Sequence, residues 1–82
     1  MTDPVLAKLH TELWALQTAY NSRSAYLAWA KAEAGFDPSE EEVQWMDANH
    51  SQQAAVSQLI ATRVAELRAQ GANVEALMPQ RP

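Results

Sequence analysis

Leu6, Leu9, Leu13, Leu16, Tyr20, Arg23, Leu27, Ala30 and Ala34 recur at alternating steps of three and four. That spacing lays side chains in one stripe along an α-helix. A second stripe runs through Trp45, Met46, Asn49, Gln52, Gln53, Val56, Leu59, Ile60, Arg63, Val64 and Leu67. It is apolar at both ends and polar in the middle.

Local signals set the ends of the two segments. "TDP" at Thr2 to Pro4 and "FDP" at Phe36 to Pro38 each place an Asp able to cap free amides before a Pro suited to the first helical position. Glu40 stands three residues after Asp37 in a box-like arrangement, and Glu40, Glu41 and Glu42 lie where the positive end of the helix dipole favours anions. No Gly or Pro interrupts Val5 to Ala34, or the chain between Pro38 and Gly71. Two helices, over about residues 4–34 and 38–70, are therefore expected, each about 45 Å long. Joined by a turn of about three residues, they must run antiparallel. Residues 1–71 form this hairpin, and 72–82 a tail in which Asn73 caps one short turn carrying Val74, Leu77 and Met78.

Folding at the turn brings together residues whose numbers sum to about 73, so that Leu6 meets Leu67, Leu13 meets Ile60 and Leu27 meets Met46. The same pairing puts Arg23 near Asn49 and His50, and Tyr20 near Gln52 and Gln53. A buried layer of this kind must be mutually bonded, solvated or covered by another chain. Two uses are open to Tyr20, Arg23, Asn49, His50 and Gln53: fixing register and oligomeric state, or binding a small anionic ligand.

Aromatic residues depart from the simple hairpin. Trp14 and Trp29, with Tyr26 beside them, fall on the side of the first helix away from the leucine stripe. Two helices cannot bury both faces, and exposed Trp is enriched where surfaces meet. Trp14, Tyr26, Trp29, Glu40 and Glu41 are the expected partner-binding set, unless the tail folds back over one of the tryptophans.

Composition narrows the function. A chain of 82 residues supports one domain with a modest core. The absence of cysteine excludes disulfides, a thiolate nucleophile and zinc–sulfur sites. Six basic against ten acidic residues, net charge −4, oppose binding to nucleic acid. No basic flank with an apolar run marks a secretory signal, and no stretch has the apolar length of a membrane span. A soluble cytoplasmic protein is expected.

Reaction chemistry finds little to work with. His10 and His50 lie in opposite halves of their helices, and Asp47 with His50 is a lone i, i+3 pair where a bundle metal site needs several converging carboxylates and histidines. Neither glycine belongs to a phosphate loop, and no serine has an evident base and orienting acid. No metal, no cofactor and no enzymatic activity are expected. The reading is an all-α helical hairpin that dimerises into a four-helix bundle and serves as a protein–protein interaction module: a small regulatory, adaptor or inhibitor protein. The alternative is a small-ligand sensor using the polar seam.

Overall fold

The computed structural model describes residues 1–81 and contains α1 (Pro4–Ala34), α2 (Glu40–Ala69) and the single turn α3 (Val74–Leu77). Asp3 caps α1 as its sequence suggests, its carboxylate accepting the Leu6 amide at 3.0 Å with Pro4 in the first position. Gly35 ends α1 in the left-handed region (φ 69°), donating to the Lys31 carbonyl at 3.0 Å. A Schellman arrangement closes α2: Gly71 (φ 77°) donates to the Arg68 carbonyl and Ala72 to that of Leu67, both at 3.0 Å. Both reversals use the one residue type that enters this region without a Cβ clash.

The second helix starts later than expected. Ser39, in extended conformation, is its N-cap and accepts the Glu42 amide at 3.2 Å. Asp37 is not the cap; it pairs with Lys31 across the turn. Glu40, Glu41 and Glu42 keep their place in the positive first turn.

The connection therefore spans Gly35 to Ser39, and its length changes the register. An extended residue advances about 3.3 Å where a helical one advances about 1.5 Å, so α2 begins lower beside α1 than a tight turn allows. Bonded partners are Arg23 with Glu42, Leu16 with Asn49 and Asp3 with Arg63, whose numbers sum to 65 or 66 and not to 73. Arg23 accordingly does not meet Asn49. The slip is about two helical turns, so the inward stripe still faces inward.

The hairpin is long and thin, 54 × 22 × 14 Å. Its best-buried apolar cluster sits at the open end, where Leu6, fully buried, packs with Leu67 and Val74 and with the half-buried Ile60, Val64, Ala72 and Leu77. α3 thus acts as a plug over the open end. Along the middle of the hairpin, Leu13, Leu16, Met46, Val56 and Ile60 are only half-buried.

Candidate functional site

The polar seam resolves into two groups. Buried Asn49 donates from Nδ2 to the Leu16 carbonyl across the hairpin at 3.1 Å and accepts from Gln53 Nε2 at 2.7 Å. Because that carbonyl belongs to α1, the bond joins the two helices directly. Tyr20 and His50 place their rings 6.2 Å apart beside this pair. Closer to the turn, Arg23 donates from Nε to Glu42 at 2.7 Å and lays its guanidinium 5.6 Å from the Tyr26 ring centroid. Among the described residues no buried side-chain polar atom lacks a partner.

The two tryptophans of α1 occupy different surroundings. Trp14 is half-buried, 5.6 Å from the ring of His10, and forms a groove with Pro79, Gln80 and Arg81 of the tail. His10 is itself anchored, donating from Nδ1 to the Leu6 carbonyl at 2.9 Å. The tail therefore runs along this side of α1, and Trp14 stands apart from the aromatic pair nearer the turn. Tyr26 and Trp29 place their rings 6.2 Å apart and remain 54% and 60% exposed. Glu40 and Glu41 are exposed at the same end.

A groove between α1 and α2 opens beside that pair. Ala15 and Ala19 line one wall, Ala48 and Ala55 the other, with Gln52 between them and Trp45 standing at the rim. Around Trp45 it continues past Ser22 and Arg23 to Tyr26. Each helix thus presents a second stripe at steps of three and four, Glu12–Ala15–Ala19–Ser22–Tyr26–Trp29 on α1 and Trp45–Ala48–Gln52–Ala55–Leu59 on α2. Spacing alone puts Trp45, Gln52 and Leu59 in the inner stripe, but Trp45 is 41% and Leu59 55% exposed, and all three belong to this outer one. The stripes read from the sequence leave out these alanines, which form a surface only because the two helices align their stripes on one side.

At the open end a polar clasp holds three segments. Asp3 receives Arg63 Nη2 at 2.8 Å and Nε at 3.1 Å, while its backbone amide donates to the Leu77 carbonyl at 3.0 Å. Arg63 also donates to Glu66 at 3.2 Å. The guanidinium beside it, then the Leu6 amide, hold the Asp3 carboxyl below its ordinary value, and the same ion pair raises Arg63. The bidentate geometry makes this clasp more specific than an ordinary surface pair. Its role is to dock α1, α2 and α3.

Among the described residues no group of three or more His, Asp or Glu side chains gathers as a metal site would need, and no helix is long and apolar enough to cross a membrane. Comparison with known families, curated proteins and solved structures gives no match.

Proposed function

We propose that this chain is a self-associating helical hairpin whose role is to bind protein, as a small regulatory, adaptor or inhibitor protein without catalytic activity. The observation that supports it is surface area. A compact monomer of 9.1 kDa exposes about 4,900 Å² by the usual size scaling. This one exposes 5878 Å². The excess of about 1,000 Å² is close to what one partner contributes to a standard protein–protein interface.

Much of that surface is apolar and large. Tyr26, Trp29, Trp45, Leu59 and Phe36 are all exposed, and aromatic side chains in such positions are the usual anchors of interfaces. A dimeric four-helix bundle built from two hairpins covers them with like elements. The ligand-sensor alternative draws less support, since Arg23 and Asn49 already bond within the chain. Light scattering coupled to size exclusion at micromolar concentration tests the proposal, which expects at least twice the 9.1 kDa chain mass. A monomer at all accessible concentrations would refute it.

A further inference from the structure

We infer that the second copy seats on the alanine groove, with the two hairpins running in opposite directions so that the turn of each lies over the open end of the other. This rests on the self-association proposed above and adds the face and the orientation. Shape favours this arrangement. Tyr26 and Trp45 line this face at the turn half and Ala15 and Ala55 at the open half; the same steps of three and four carry it on to the exposed Trp29 at one end and Leu59 at the other. Reversing one copy sets the three aromatic residues of each against the smaller Ala15, Ala55 and Leu59 of the other. Aligning both turns at one end crowds the aromatic residues together and leaves the alanine halves apart.

The register fixes where the two-fold axis falls. Bonded partners sum to 65 or 66, so Ala48 is level with residues 17 and 18 of α1, close to the middle of the face. A rotation centred there puts Ala48 beside Ala48 of the second copy, and brings Trp29 level with its Leu59. Alanine at the axis permits the close helix approach that such packing uses.

Charge agrees with this orientation. Glu12, at the open half, takes part in none of the ion pairs among the described residues. Arg23, at the turn half, is half-exposed and bonds Glu42 through Nε. About the Ala48 axis, Glu12 of one copy stands level with Arg23 of the other. The face is large enough as well. From Trp29 to the level of Leu59 it runs roughly 34 Å at 1.5 Å per residue, across a molecule 22 Å wide. Each copy then covers roughly 700 Å², near the ~800 Å² per partner of a stable interface.

The chain has no cysteine, so Ala65→Cys, at an exposed position on α2, carries a single nitroxide label. Ala65 lies 17 positions beyond Ala48, so opposed hairpins separate the two labels by about 50 Å, read by pulsed dipolar electron spin resonance. A distance under about 25 Å in a dimer, the value for hairpins aligned at one end, overturns the orientation and leaves self-association standing. A monomeric sample with no dipolar signal overturns both. Ala48→Glu in a second experiment puts two carboxylates at the axis and should weaken the dimer at least tenfold with circular dichroism unchanged. A dimer that survives it intact overturns the choice of face.

Discussion

Replacing Leu6 by Ala removes the only large side chain that is wholly buried among the described residues, and its cost follows from what surrounds it. Leu6 packs with Leu67 and Val74, and with the half-buried Ile60, Val64, Ala72 and Leu77, from α2, the following turn and α3. Leu→Ala in well-packed cores costs about 2–5 kcal/mol, the higher values where neighbours cannot close the cavity. Here Val74 and Leu77 belong to a four-residue helix, a small element that can settle inward. The lower half of the range applies, about 2–3 kcal/mol. For a domain of this size each kcal/mol moves the melting temperature by about 4–8 °C, so a drop of roughly 10–20 °C is expected. Thermal circular dichroism at fixed protein concentration reads it, because association makes the melting temperature depend on concentration. Hydrogen exchange should show protection lost at the two chain ends before the middle of the hairpin. Val43→Ala, at an exposed site, is the control and should stay within about 0.5 kcal/mol. If Leu6→Ala melts with the parent, the open-end cluster is not the stabilising core and α3 does not dock as described.

Three further outcomes are expected. The folded state holds the Asp3 carboxyl below its unfolded value, chiefly through Arg63, so its contribution is complete above the unfolded pKa near ~3.9 and fades as pH falls below that; Asp3→Asn should shrink the drop in melting temperature between neutral pH and pH ~3, and an unchanged drop would count against the clasp. Gly71→Ala meets no atom within 4 Å of the added Cβ, so its cost is purely backbone, about 1 kcal/mol by chemical denaturation, and Gly71→Asn should lose less; equal losses would mean that the left-handed turn is not what matters. Asn49→Leu removes the cross-hairpin bond to Leu16 and should retain helicity while multiplying the amide resonances, as alternative registers become accessible; a single sharp set of peaks would show that Asn49 does not fix the register.

The starts and stops of the helices are local chemistry, so Asp3, Pro4, Gly35 and Gly71 were legible where they stand. Asp37, three residues before Glu40, is the cap expected from the sequence; Ser39 stands in the same relation to Glu42 and takes the role, while Lys31 reaches across the turn to pair with Asp37. Register was illegible for a deeper reason: a stripe repeating every seven residues looks the same after a slip of one repeat, so the pattern named the inward face and left the partner open. Arg63 shows the effect. Its place in the inner stripe could be read, but its pairing with Asp3 appears only once the slip is known. Trp14 and Trp29 share a helix and a chemical type, yet one meets the tail and the other solvent, because the path of the tail is set by α3 docking at the open end. The outer stripe of alanines carries no strong hydrophobic signal of its own, and becomes a surface only where Ala15 and Ala19 line up with Ala48 and Ala55.

Sedimentation equilibrium across nanomolar to micromolar protein tests the central claim most directly, because it asks whether the exposed 5878 Å² is the working surface of a single chain or half of an assembly. Two hairpins that bury roughly 1,400 Å² between them should sediment as a concentration-dependent dimer with twice the 9.1 kDa chain mass. A species of 9.1 kDa that persists through the micromolar range, with Tyr26, Trp29 and Trp45 left in water, would contradict it.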